Sequence, residues 1–107
     1  MKIATINARG FNSSLKQDFL VNFIKKHDLD IIAVQEVNCP VIDLYDPEYD
    51  IVTNAPTKLG TAIIFKRTIK PNLIQKSPEG RIIRVEFNHF FVVNVYGYAN
   101  ASAQVKR

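Results

Sequence analysis

The sequence predicts an α/β (α+β) fold, in which a β-α-β unit leads into an antiparallel meander of short strands. Three observations predict it. Residues 14–27 carry apolar side chains at helical spacing, between two strand-like stretches. The second of those stretches, Asp30 to Glu36, is almost wholly apolar, as a strand covered on both faces is. Beyond residue 48 only short β-rich runs follow, separated by turn residues. The 107 residues, 47% hydrophobic and 22% charged, fit one small globular domain and exclude a disordered or fibrous chain.

Each element has its own signal. Lys2 to Asn7 alternates and is β-rich. Asn12, Ser13 and Ser14 offer helix caps, and Ser14 with Gln17 makes a capping box. Leu15, Phe19, Leu20, Phe23 and Ile24 then mark one helix face. Lys25, Lys26 and His27 in its last turn complement the helix dipole. Val37 to Asp50 is irregular, with two prolines and four acids. Tyr49 to Thr53 reads as a strand, 54–60 as a loop, and Thr61 to Lys66 as a strong strand. Pro71 to Lys76 is weaker and belongs at an edge, because proline cannot donate to a ladder. Ser77-Pro78-Glu79-Gly80 is a turn. Arg81 to Phe87 and Phe90 to Tyr96 are strands joined at Asn88-His89.

Composition narrows the function classes. No apolar run approaches the ~20 residues of a membrane-spanning helix, so no membrane partner is expected. The start shows no basic segment followed by an apolar one, so no cleaved leader is expected. Cys39 is the single cysteine, which excludes an intrachain disulfide and a zinc cluster and points to a reducing, intracellular compartment. The net charge of +4 is uneven. Residues 1–53 hold five basic and eight acidic residues, and residues 54–107 hold nine and two. A basic half beside an acidic half suits an anionic partner next to a metal site. A chance distribution of solvated charges is the plainer alternative.

Two strands end in a polar residue after an apolar run: Asn7, in Thr5-Ile6-Asn7-Ala8-Arg9-Gly10, and Glu36, in Val34-Gln35-Glu36. With a right-handed crossover they become neighbours at the carboxyl edge of one sheet. One carboxylate beside an amide can hold a hard cation such as Mg²⁺, which keeps several waters. Spacing alone favours a simpler reading, in which Asn7 caps a turn and Glu36 is a solvated strand end. A third strand ends in Asn94-Val95-Tyr96-Gly97-Tyr98-Ala99-Asn100. Its Tyr hydroxyl and Asn100 could reach a phosphate backbone, or the tyrosine could simply pack on the core rim.

Taken in order, four segments resemble the exonuclease–endonuclease–phosphatase superfamily of Mg²⁺-dependent phosphoesterases. They are Lys2–Gly10, Ile31–Glu36, Leu59–Ile64 and Val92–Tyr96. The I-N-A-R-G start and the N-V-Y strand followed by Asn100 resemble the apurinic-type endonuclease at the front of non-LTR (LINE-like) retrotransposon polyproteins. The resemblance implies the N-terminal half of a two-layered β-sandwich flanked by helices, with residues 1–107 forming a partial domain that lacks the C-terminal half.

The resemblance also implies roles. Glu36 is the metal-binding carboxylate. Asn7 lies beside it and helps position metal and phosphate, and Tyr96 hydrogen-bonds the scissile phosphate or orients the reactive groups. Asn100 is a weaker substrate contact. Arg9 cannot ligate a cation and is expected to meet DNA phosphate. Gly10 and Gly60 are structural. Mg²⁺, with Mn²⁺ as a substitute, is the implied cofactor and DNA the implied substrate. The rest of the endonuclease domain and a reverse transcriptase on the full polyprotein are further partners, in the nucleus when part of the full element.

The family's Asp–His base pair and second Asp/Asn motif have no counterpart in these 107 residues, so the chain alone is expected to be inactive. His27 and His89 read as surface residues, and Asp43, Asp46, Glu48 and Asp50 as a solvated face. Alternatives are a repair endonuclease or phosphatase of the same superfamily, a non-catalytic nucleic-acid-binding remnant, or a decayed copy. Ile31, Ile32, Val34, Ile63, Phe65, Val92 and Val93 are more inward candidates than one helix can cover. An exposed sheet face and an aggregation-prone or oligomeric chain are therefore expected.

Overall fold

The computed structural model describes residues 1–10, 14–38, 46–56 and 60–97. The elements run β1 (Ile3–Asn7), α1 (Ser14–Lys26), β2 (Ile31–Gln35), β3 (Tyr49–Asn54), β4 (Thr61–Lys66), β5 (Leu73–Lys76), β6 (Ile82–Glu86) and β7 (Phe91–Val95). Their bounds agree with the sequence reading to within one or two residues. The expected caps at Asn12 and Ser13, the Ser14 side chain, Cys39, Asp43 and Asn100 lie outside the described residues. No helix among the described residues is long and apolar enough to cross a membrane.

The strands form two sheets, ordered β1-β2-β4-β3 and β5-β6-β7. β1 and β2 are parallel, with Ile3 opposite Ile31 and Asn7 opposite Gln35. β4 is antiparallel to both β2 and β3. The meander therefore divides: β3 and β4 extend the first sheet, and β5, β6 and β7 form a second layer packed on it. Strand parity divides the core. Ile32, Val34, Ala62 and Ile64 face α1 with Leu20, Ile24 and Leu29. Ile31, Ile63 and Phe65 face the second sheet and meet Ile83, Val85 and Phe87. Full burial of each Val, Leu, Ile or Phe among them stabilises by about 1.5–3 kcal/mol.

The expected exposed sheet face is only partly found. β2 and β4 are covered on both sides, by the helix and by the second sheet. Exposed apolar residues lie also on the outer face of the second sheet, at Ile82, Phe91, Val93 and Val95, with Val93 44% exposed, while Ile3 of β1 and Leu15 and Phe19 of α1 are exposed as well.

Helix α1 stops by a Schellman motif. Asp28 takes φ +50°, its N–H bonds the Lys25 carbonyl, and the Leu29 N–H bonds the Ile24 carbonyl. Leu29 and Ile24 are both buried, which completes the motif's apolar contact.

Asp46 corrects the expected solvated acidic face. It is 5% exposed, pairs with Lys25 at 2.6 Å and accepts the Glu48 N–H. Glu48 and Asp50 are exposed, as expected. The Lys25 hydrogen bond, helped by the Glu48 N–H against the cost of burial, holds the Asp46 carboxyl below its ordinary range. The Lys2 backbone N–H, then Lys66, do the same for Asp30.

Both contributions to stability are present above the ordinary carboxylate pKa of about 3.9 and are lost as pH falls through the lower folded values. Thermal melts should therefore show a falling Tm below about pH 4, with a shallower slope in Asp46→Asn. A flat acid limb, or an unchanged slope in that variant, contradicts the assignment.

Candidate active site

The parallel β1–β2 ladder brings the expected residues to one rim. It continues past the strand ends, as the Ala8 N–H bonds the Gln35 carbonyl at 2.8 Å and the Gly10 N–H bonds the Glu36 carbonyl at 2.7 Å. Both chains then turn away in left-handed backbone, with Arg9 and Glu36 each at φ +53°. That conformation disfavours side chains larger than glycine by about 1–2 kcal/mol. Held by a ladder, it re-aims the Glu36 carboxylate out of the strand's alternation. Gly10, at φ +100°, completes the first turn.

Glu36 is half-buried, and its Oε1 accepts the Tyr96 hydroxyl at 3.0 Å. Tyr96 is held in turn by backbone. Its N–H bonds the Arg81 carbonyl, and the Arg81 guanidinium bonds the Tyr96 carbonyl at 3.1 Å. Asn7 is exposed beside them, its Oδ1 accepting the Arg9 N–H at 3.1 Å. Arg9 is exposed on the same turn, and Lys16 donates to its carbonyl. The structure thus gathers Asn7, Arg9, Glu36 and Tyr96 at one rim. Asn100 lies outside the described residues.

The histidines lie at the other end. His27 follows the helix at the amino end of β2, and His89 precedes the amino end of β7, whose far end leads to Tyr96. Both are exposed. Among the described residues no three His, Cys, Asp or Glu side chains converge. The donor set is one carboxylate and one amide, all hard oxygen, which fits a cation that keeps most of its waters. Two of the surplus basic residues are engaged elsewhere. Lys66 pairs with Asp28 and Asp30, and Arg84 pairs with Glu86 and stacks over Phe91.

One functional feature escaped the sequence reading. Asn94 is 2% exposed at an inward position of β7. Its amide donates to the carbonyls of Val34 and Ala62 at 2.9 and 2.8 Å, and its oxygen accepts from Gln35 at 2.8 Å. Gln35 also bonds Thr5. This polar staple joins the two sheets two residues before both Glu36 and Tyr96. The available signal was an amide amid the valines of Val92-Val93-Asn94-Val95, where an unpaired polar group would be costly to bury.

The Endonuclease/Exonuclease/phosphatase family profile matches residues 4–103. An exodeoxyribonuclease of Bacillus subtilis is 28% identical over 106 residues, covering 90% of this chain and 42% of its own length. An AP endonuclease structure from Archaeoglobus fulgidus superposes with TM-score 0.71 and 24% identity, over 90% of this chain and 40% of that one. The endonuclease domain of TRAS1, a telomere-specific non-LTR retrotransposon, superposes with TM-score 0.57 and 12% identity, over 96% and 49%. The chain spans less than half the length of each. With a profile match over nearly its whole length, and a two-sheet fold shared with these structures, this chain belongs to the Endonuclease/Exonuclease/phosphatase family.

Proposed function

We propose that this chain is the metal-binding portion of a divalent-cation-dependent DNA endonuclease that hydrolyses phosphodiester bonds. The observation that carries the reading is the Tyr96–Glu36 hydrogen bond at the rim where β1 and β2 end. Glu36 would hold the cation, with the Asn7 amide oxygen beside it. Mg²⁺ at that place supplies Lewis-acid polarisation of a phosphoryl oxygen. Tyr96 fixes the carboxylate's orientation and presents a hydroxyl to a phosphate oxygen. Arg9, exposed on the adjoining turn, offers a fork of donors to the DNA backbone, and Asn100 would add a further substrate contact.

The branch is the non-LTR retrotransposon type, acting in the nucleus with a reverse transcriptase on the same polyprotein. The I-N-A-R-G and N-V-Y segments and the TRAS1 likeness support it. A repair-type AP endonuclease is the second reading, favoured by the higher identity and TM-score of the Archaeoglobus enzyme. Sequencing the gene beyond codon 107 separates them: a reverse transcriptase in the same frame favours the first and its absence the second.

No general base faces Glu36 among the described residues. The 107-residue chain should therefore bind Mn²⁺ weakly yet leave supercoiled plasmid uncut with Mg²⁺ present. Electron paramagnetic resonance of free Mn²⁺ should show at least about tenfold weaker binding in Glu36→Ala, and an undiminished affinity overturns the metal assignment. Open-circle product that disappears in Glu36→Ala would overturn the expected inactivity. Salt-sensitive DNA binding that ignores both Mn²⁺ and Glu36 would support a non-catalytic binding remnant instead.

A further inference from the structure

Asn7, Glu36 and Tyr96 reach the rim from three strands and two sheets. The backbone bonds nearest them stay within a sheet. The Gly10 N–H on the Glu36 carbonyl and the Val37 N–H on the Gly60 carbonyl join segments of the first, and the Tyr96 N–H on the Arg81 carbonyl joins segments of the second. The apolar layer between the sheets, with Ile63, Phe65, Ile83 and Val85, is non-directional and sets no register of one sheet over the other. The 3.0 Å reach of the Tyr96 hydroxyl to Glu36 therefore depends on directional side-chain bonds between the layers.

One side chain stands where the three strands meet. Gln35 closes β2, and the parity that turns Ile31 to the second sheet turns Gln35 the same way. It is half-buried. Its Nε2 donates to Thr5 Oγ1 at 2.9 Å and to Asn94 Oδ1 at 2.8 Å. Thr5 is two residues before Asn7, Gln35 is one before Glu36, and Asn94 is two before Tyr96. A single amide nitrogen thus ties β1, β2 and β7 within two residues of each rim side chain. Its direction is forced. The Val34 and Ala62 carbonyls only accept, so Asn94 turns its nitrogen to them and its oxygen to residue 35. Residue 35 must then present a donor. A glutamate would set acceptor against acceptor, and a methionine of similar length would offer none.

We infer that Gln35 is a positioning residue, whose amide fixes β7 against β1 and β2 and so holds Tyr96 at Glu36, with Asn7 beside them. Its consequence for cation binding rests on the proposed metal-binding role of Glu36, whereas its placement of Tyr96 does not.

The test compares Gln35→Met, Glu36→Ala and Val85→Ala with the native 107-residue chain, where circular dichroism shows each to be folded. Val85 is buried in the same apolar layer, so its truncation loosens the sheets without removing a Gln35 bond. Two quantities are read: the ring ζ-carbon resonance of Tyr96, assigned with Tyr96→Phe in ring-labelled protein, and Mn²⁺ affinity by electron paramagnetic resonance. In Gln35→Met the Tyr96 resonance should move toward its position in Glu36→Ala, and Mn²⁺ should bind about tenfold more weakly. In Val85→Ala the urea midpoint should fall while neither quantity moves. Thr5→Val keeps the shape of threonine and removes one acceptor of the Gln35 amide. It should shift Tyr96 in the same direction by less, and it decides the matter if Gln35→Met does not fold. A native Tyr96 resonance in folded Gln35→Met overturns the proposal. So does a Val85→Ala chain that moves Tyr96 as far, or a native resonance in Thr5→Val where Gln35→Met is unfolded. Mn²⁺ affinity lost in Glu36→Ala but kept in Gln35→Met overturns the proposal and leaves the metal reading standing. Affinity undiminished in Glu36→Ala overturns the metal reading, and the Tyr96 resonance then decides the role of Gln35 by itself.

Discussion

Asn94→Asp is expected to destabilise the fold at pH 7 by about 4 kcal/mol, a large share of the ~5–15 kcal/mol that holds a typical domain. The native amide gives its two protons to the Val34 and Ala62 carbonyls and takes one from Gln35. A carboxylate keeps the acceptor and loses both donors, so a buried charge faces two carbonyl oxygens. Burial and those oxygens both push the new carboxyl's folded pKa up. The penalty is therefore absent below the unfolded value near 4 and grows as pH rises. Denaturant melts should show Asn94→Asp regaining stability from pH 8 to pH 5, a range where the native chain is nearly flat. Asn94→Leu should lose about 3 kcal/mol with no such recovery. If Asn94→Asp matches the native chain at pH 7, the staple between the sheets does not hold them. The site should respond as well, because β7 carries Tyr96 to Glu36. In Asn94→Leu under folding conditions, the Tyr96 ring resonances should shift toward those of Glu36→Ala.

Gly60→Val is the second large effect. Gly60 stands where β4 begins, against the end of β3. Even an ideal Cβ there would lie 2.7 Å from the Ala55 Cα and 3.0 Å from the Asn54 carbonyl, and would collide with the Ala55 Cβ. Backbone, not a pliable side-chain tip, would have to yield. Overpacking of that kind costs about 3 kcal/mol or more. The damage is not confined to the hairpin. The Gly60 carbonyl accepts the Val37 N–H at 3.0 Å, directly after Glu36. Thr61 beside it bonds the Gly80 carbonyl at 3.2 Å, linking the first sheet to the second. Gly60→Ala should lose most of this stability and Gly60→Val all of it, read as a fallen midpoint in urea. A midpoint within experimental error of the native chain would place Gly60 in open space and refute the close approach.

The strands were legible because their chemistry is local. Asp30 to Glu36 is a near-continuous apolar run, and the structure covers it on both faces. Pro71 marked β5 as an edge strand, and it is one. Lys25 and Lys26 marked the end of α1. The rim also followed from local pattern. A polar residue closing an apolar strand, twice, on either side of one helix, places Asn7 and Glu36 at the same end once the crossover is parallel.

Three things needed the folded molecule, each for the same physical reason: they depend on which side of a strand meets which partner across the chain. Asp46 looked like one of several solvated acids until α1 brought Lys25 to it at 2.6 Å. Asn94 looked like a break in a valine strand until the second sheet laid it over the carbonyls of β2 and β4. The meander was readable as strands, but where it divides between the two layers was not. Period-two alternation names the two faces of a strand without saying what either face touches. By itself the sequence determined the element order, the parallel start and the rim residues, all set by neighbours in the chain. The pairing of Glu36 with Tyr96, sixty residues apart, was decided by sheet-on-sheet packing alone.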